Sequence, residues 1–259
     1  MRARIQAACA RTQRDPAAVT LIGVTKGCPV EAIEQALALG VTDLGENRVQ
    51  EAREKHTVLG SRLKVQGRFL EPRTLNLEPR VKWHLIGHLQ RNKITHALEQ
   101  FDVIHSVDSI ELIEALERHR LQTEQRTRVH SPQSIVHSQT RPVDIFVQVN
   151  VSGEETKFGC RPEETKALAA AVSRSSHLKL AGLMTIAPFS DDAEAARPVF
   201  RALRLLRDNL QETLNTQSPS HAVTQSLHLS MGMSHDFEVA IEEGADVVRI
   251  GTAIFGTRH

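Results

Sequence analysis

Two short polar turns near the C-terminal end carry the residues best suited to hold an anion. They lie within residues 227–256, LHLSMGMSHDFEVAIEEGADVVRIGTAIFG. The first, MGMSH, follows the apolar-alternating run LHLS. The second, Gly251-Thr252, follows the apolar run DVVRI. Ser230, Ser234 and Thr252 bring hydroxyls, and the turns offer backbone N–H groups beside small residues. Free amides beside small residues admit an oxyanion and so make a phosphate cradle. Turn and cap chemistry would explain either turn taken singly. Two successive turns and an arginine inside an apolar strand favour the cradle. Arg249 stands between Val248 and Ile250. Its side chain points either into the sheet interior or under the helices, and a buried guanidinium needs an acceptor in both places. At the other end of the chain, Lys26 closes the apolar run VTLIGVTK. Its amine either snorkels to solvent or lies desolvated with a lowered pKa, ready to condense with an aldehyde.

Strands alternating with helices must position these residues. The strands are expected at 19–26, 43–46, 81–87, 102–107, 144–151, 180–186, 227–230 and 246–250. Each is an apolar or β-branched run bounded by turn residues. Helical spacing follows each, as at Ile33, Ala36 and Leu37 before Gly40, at 47–56, near 91–99, at IELIEALERH after Asp108-Ser109, and from Pro162. A short extra helix precedes the first strand at 2–13. Eight such units predict a single (β/α)8 barrel over 1–259, with no room for a second domain. No GxGxxG follows the first strand, which counts against a doubly wound sheet. Both anion-binding turns follow strands seven and eight, the usual phosphate site of a barrel. Residues 60–80 and 118–141 lack sustained periodicity and read as surface insertions, each joining a helix to the next strand on the face opposite the site.

Composition narrows the classes. The chain has 259 residues, and 32 basic against 31 acidic side chains give a net charge of +1. That balance makes no case for nucleic acid or a membrane surface. The three cysteines, Cys9, Cys28 and Cys160, are odd in number and far apart, which fits a reducing compartment rather than a disulfide framework. With no apolar leader in MRARIQAACARTQRDPAAV and no spanning run, the expected location is the cytoplasm. His84 and His88 have metal-pair spacing, but HLIGH lies on a strand and has no HExxH glutamate, so no metal is expected. Gln90, Asn92 and Lys93 either line the mouth or begin a helix. Lys157 either guards the site or faces solvent.

Lys26, a phosphate cradle and an inward arginine together match the needs of pyridoxal 5′-phosphate (PLP): an amine for its aldehyde, donors for its phosphate and a partner for its ring nitrogen. The sequence also resembles the pyridoxal phosphate homeostasis proteins, single-domain relatives of the barrel domain of bacterial alanine racemase. The motifs are GVTK (23–26), LGENRVQE (44–51), WHLIGHLQRNK (83–93), VNVSGEETKFG (149–159), GLMTI (182–186), LSMGMSHDFEVAI (229–241) and VRIGTAIFG (248–256). The resemblance implies that Lys26 carries PLP as a Schiff base and that Asn47 lies beside it. It implies that Ser230, Ser234, the amides of Met231 and Gly232, and Gly251-Thr252 hold the phosphate. Arg249 would face the pyridine nitrogen. Family proteins are more compact at 60–80 and 118–141, often run a few residues beyond FGTRH, and carry more polar residues where this chain has GCP after the lysine.

An arginine at the ring nitrogen opposes its protonation and weakens the ring as an electron sink. Racemisation also needs acid–base groups on both faces of the substrate carbon. Lys26 supplies one. In the two-domain racemases a tyrosine from a partner's second domain supplies the other, and this chain contains no tyrosine. The expected role is therefore a monomeric carrier that buffers, stores or delivers PLP, with apo forms of PLP-dependent enzymes as partners and no amino-acid turnover of its own. The alternatives are a racemase using His84 or Lys157 as second base, and a barrel isomerase or lyase acting on another phosphorylated metabolite.

Overall fold

The computed structural model describes residues 1–65, 81–130, 142–154, 156–217 and 226–256. Eight parallel strands close into a barrel in chain order: β1 (Thr20–Val24), β2 (Asp43–Glu46), β3 (Lys82–Leu85), β4 (Val103–Val107), β5 (Val143–Gln148), β6 (Leu178–Met184), β7 (His228–Ser230) and β8 (Val247–Ile250). Closure comes from β8 pairing with β1, where Ile22 lies opposite Arg249. The helices are α1 (Arg2–Arg11), α2 (Val30–Ala38), α3 (Val49–Val65), α4 (Ile94–Gln100), α5 (Ile110–His130), α6 (Thr165–Ser173), α7 (Arg197–Gln217), α8 (Phe237–Glu242) and α9 (Thr252–Phe255). This is the βα barrel expected from the alternating pattern, with the extra helix α1 ahead of it.

Alternation along the strands divides the apolar side chains between two cores. Ile22, Val103, Phe146, Met184 and Val247 fill the barrel. A larger set, including Leu44, Leu85, Ile104, Ile145, Leu183, Leu229 and Val248, packs outward against the helices. Arg249 is two residues on from Val247, so it shares the inward face. α1 lies against α8, with the Arg4 guanidinium 4.6 Å from the Phe237 ring centroid and paired with Glu238 at 3.0 Å.

Two helices run further than their composition suggests, which corrects part of both expected insertions. α3 continues through Gly60 to Val65, and Thr57 and Ser61 return hydroxyl bonds to the carbonyls of Arg53 and Thr57. α5 continues to His130. Gly60 and the β-branched residues of α5 interrupt the periodicity but cost only about 1 kcal/mol or less apiece, so Arg, Lys, Gln and Glu carry the helices on. The remainder of each expected insertion, 66–80 and 131–141, lies outside the described residues.

Candidate cofactor site

The turns after the strands gather at the C-terminal mouth of the barrel. Lys26 lies in the turn just beyond β1, two residues past the strand end, and is exposed. The desolvated placement is not observed; the amine reaches solvent at the mouth. The turn itself is held from below. Lys55 of α3 is buried, and its Nζ donates to the Thr25 carbonyl (2.5 Å), to Glu46 Oε1 (2.7 Å) and to Glu51 Oε1 (2.6 Å). Thr25 Oγ1 donates to the same Glu46 oxygen, and the Gly27 amide donates to Glu51. Both neighbours of Lys26 are therefore tied to one ionic cluster. Burial pushes the Glu46 carboxyl up, against the opposing pull of Lys55 and Thr25.

Asn47 is half-buried in the turn after β2. Gly87, after β3, abuts its backbone so closely that a Cβ at Gly87 would lie 2.4 Å from the Asn47 carbonyl oxygen. Close approach thus explains the glycine of WHLIGH. Residues 91–93 form a 3-10 turn leading into α4, so Asn92 and Lys93 begin a helix. His88 stacks on Phe158 at 4.1 Å between centroids, and lies 4.0 Å from Asp108. His84 has other partners, Asp43 and His105.

At the phosphate turns the structure narrows the expected set. The Met231 amide donates to the Val247 carbonyl at 3.1 Å and belongs to the sheet. Ser230 is fully buried, and its hydroxyl accepts from Arg249 Nη1 at 2.6 Å and lies 2.9 Å from His105 Nδ1. It is an interior link, not a mouth hydroxyl. Ser234 Oγ accepts from the amides of Gly251 (3.2 Å) and Ala253 (3.4 Å), tying the two turns together. Among the described residues no acceptor takes its own proton. Gly232 is buried with φ +91°, and a Cβ there would meet Ala240 Cβ at 2.5 Å. Among the described residues nothing accepts from the amides of Gly232 and Thr252. A buried amide without an acceptor is uncommon in a folded protein and fits an anion at this place. The donors left over at these turns, among the described residues, are the Gly232 and Thr252 amides and the Ser234 and Thr252 hydroxyls.

Arg249 crosses the barrel beneath these turns. Its Nη2 donates to the Thr185 carbonyl at 2.9 Å, and with the Ser230 bond this uses two of the five donors of a guanidinium. Burial pushes it down to about 10, opposed by the Asp236 carboxylate, so it stays a cation at neutral pH. The inward choice is the one taken, and this donor set fits an aromatic nitrogen that accepts.

Sequence reasoning missed Lys55, Glu46, Glu51, His105, Asp236 and Thr185. The i,i+4 spacing of Glu51 and Lys55 was a usable signal for one pair. Asp236 accepts from the Met233 amide within its own turn, whereas His105 and Thr185 meet Ser230 and Arg249 only once the barrel closes.

The description "alanine racemase, N-terminal domain" matches residues 1–259. The chain belongs to that family. It is 40% identical over 255 residues to the pyridoxal phosphate homeostasis protein of Aquifex aeolicus, covering 98% of this chain and 94% of that one. The protein of the same name from Pseudomonas aeruginosa is 38% identical over 256 residues, covering 99% and 92%. Among solved structures, Synechococcus elongatus PipY with PLP bound superposes with a TM-score of 0.70 at 32% identity, covering 98% of this chain and 99% of that one. These matches agree with the resemblance carried by the motifs from GVTK to VRIGTAIFG. The barrel described above is thus of the alanine-racemase type. The two side chains weighed as a second base are both engaged: His84 Nε2 and Nδ1 lie 3.0 Å from Asp43 and 2.9 Å from His105, and Lys157 Nζ donates to Glu154 at 3.0 Å. Among the described residues no helix is long and apolar enough to cross a membrane.

Proposed function

We propose that this chain binds PLP at the barrel mouth through Lys26 and maintains the cofactor's supply by holding and releasing it. The observation that carries the reading is the exposed Lys26 amine on the same rim as the Gly232 amide, which has no acceptor among the described residues, in a chain 32% identical to a protein whose structure holds PLP. When bound, PLP supplies an aldehyde that condenses reversibly with a primary amine. Lys26 supplies that amine, and the Lys55 cluster keeps its turn in place. Ser234, Thr252 and the Gly232 amide bind the phosphate. Arg249 presents N–H groups to the ring nitrogen and, as a fixed cation, keeps a proton off it. Asn47 borders the ring. A mouth lysine open to water lets the cofactor leave again, which suits a carrier serving apo forms of PLP-dependent enzymes. Cys9, Cys28 and Cys160 are buried thiols outside any disulfide, which accords with a reducing cytoplasm. We assign a single domain acting as a monomer, with no amino-acid turnover.

The test is an absorbance spectrum of purified protein, then borohydride reduction and peptide mapping. The phosphopyridoxyl group is expected on Lys26 alone, and Lys26→Ala should fold but lose the visible band. Labelling mainly at Lys93 or Lys157 overturns the assignment.

A further inference from the structure

A row of hydrogen-bonded side chains runs through the barrel interior from β8 to β2. Arg249 Nη1 donates to Ser230 Oγ at 2.6 Å. Ser230 Oγ lies 2.9 Å from His105 Nδ1, His105 Nε2 lies 2.9 Å from His84 Nδ1, and His84 Nε2 lies 3.0 Å from Asp43 Oδ1. Five strands contribute: β8, β7, β4, β3 and β2. Asp43 opens β2, so the row ends near the face opposite the mouth.

Chemistry at the two ends orders the protons between them. A guanidinium only donates, so Ser230 Oγ accepts from Arg249. Burial would raise the Asp43 carboxyl, but bonds from His84 and Thr42 outweigh it and hold it ionised, so it only accepts. His84 Nε2 therefore carries a proton. Burial, then the neighbouring His84 and Arg249, push His105 well below the ordinary histidine value and keep it neutral. One of its nitrogens donates and the other accepts. If Nε2 donates to His84 Nδ1, then Nδ1 accepts the Ser230 proton, and every donor in the row points from Arg249 toward Asp43. The reverse order needs an extra proton on His84. Stacking on Phe146, with centroids 4.4 Å apart and planes 9° from parallel, fixes the His105 ring so that both nitrogens meet their partners.

We propose that His105 and His84 are positioning residues for Arg249: the row ties the guanidinium through Ser230 to a carboxylate at the far end of the barrel and so fixes the direction of its remaining N–H groups toward the mouth. This rests on the reading of Arg249 as the partner of the ring nitrogen. Without the row, Arg249 would keep only the Thr185 carbonyl, and its Nη1 edge would be free to turn.

Two measurements test it. In cofactor-free protein, nitrogen NMR of the imidazoles should show His105 neutral, protonated at Nε2 and accepting at Nδ1, throughout the ordinary histidine titration range. A proton on Nδ1 would overturn the ordering. In protein loaded with PLP, His105→Leu should release the cofactor about tenfold faster and shift its absorbance band, in the same sense as Arg249→Gln, as expected for a lost bond to a charged group. His105→Gln, which still donates and accepts, should restore much of the wild-type rate. If His105→Leu does not fold, His84→Leu cuts the row one link further away and should act in the same direction. Unchanged release and absorbance in the foldable Leu variant, with Arg249→Gln altering both, would sink the inference and leave the proposed function standing. Failure of the wild-type chain to take up PLP would instead remove the proposed function, while the NMR result would still decide whether the row is ordered.

Discussion

Replacing Lys55 with Met should destabilise the protein by about 3–5 kcal/mol at neutral pH. The size follows from what the ammonium leaves behind. Met keeps the stem's bulk but no donor. Glu46 is fully buried, and its Oε2 has no partner among the described residues, so Lys55 and Thr25 are what offset its charge. Without Lys55 the carboxyl takes up a proton rather than persist as a bare buried anion. At about 1.4 kcal/mol per pH unit, neutralising a carboxyl with an ordinary value of 4.5 costs about 3.4 kcal/mol at pH 7, an upper bound on the difference because burial already raises Glu46 in the wild type. The unbonded Thr25 carbonyl adds about 1 kcal/mol. The protonation cost shrinks with acid, to under about 1 kcal/mol at pH 5, so the variant's deficit should fall to about 2 kcal/mol there. The sign agrees with linkage. A carboxyl whose folded-state value lies above its unfolded one makes stability decline as pH rises from 4.5 through the raised value. Urea unfolding of both proteins at the two pH values measures the difference. A deficit below about 1 kcal/mol that does not change with pH would refute the view of Lys55 as the counter-charge of Glu46.

Gly232→Ala should cost about 3 kcal/mol, from a left-handed residue gaining a Cβ and from a contact of 2.5 Å with Ala240 that forces α8 outward. Its loss of affinity should be larger for PLP than for pyridoxal, and equal losses in a binding titration would detach Gly232 from the phosphate. His177, between Glu117 at 2.8 Å and Glu124 at 3.0 Å, is lowered by burial but raised more by those carboxylates, so its stabilising contribution is complete below 6.5 and fades as pH rises through its folded value. Glu117, held below 4.5 by the same contact against its burial, loses its contribution as pH falls through its own folded value. His177→Gln should remove the decline on the alkaline side, about 1 kcal/mol, and parallel denaturation profiles for the two proteins would contradict this.

The barrel was legible in the chain because its strands differ from its helices in period, and β2 was read to the residue at 43–46. The position of Lys26 at the mouth was legible too, since a lysine ending an apolar run has nowhere else to go. So was the pairing of the last two polar turns, which Ser234 joins through the Gly251 amide. Gly60 hid the length of α3, because a local breaker reads as a stop when the packing that carries a helix past it is not in view. Alternation left Arg249 either inside the barrel or beneath the helices, and only its register beside Ile22 on β1 settled that it is inside. Ser230 shows the same limit. Its hydroxyl looked available in a polar turn, yet it bonds His105, 125 positions away in the chain. Side-chain period determines which face of a strand a residue occupies. Which residue it meets there depends on how the strands tilt and stagger when the sheet closes, and only tertiary structure decides that.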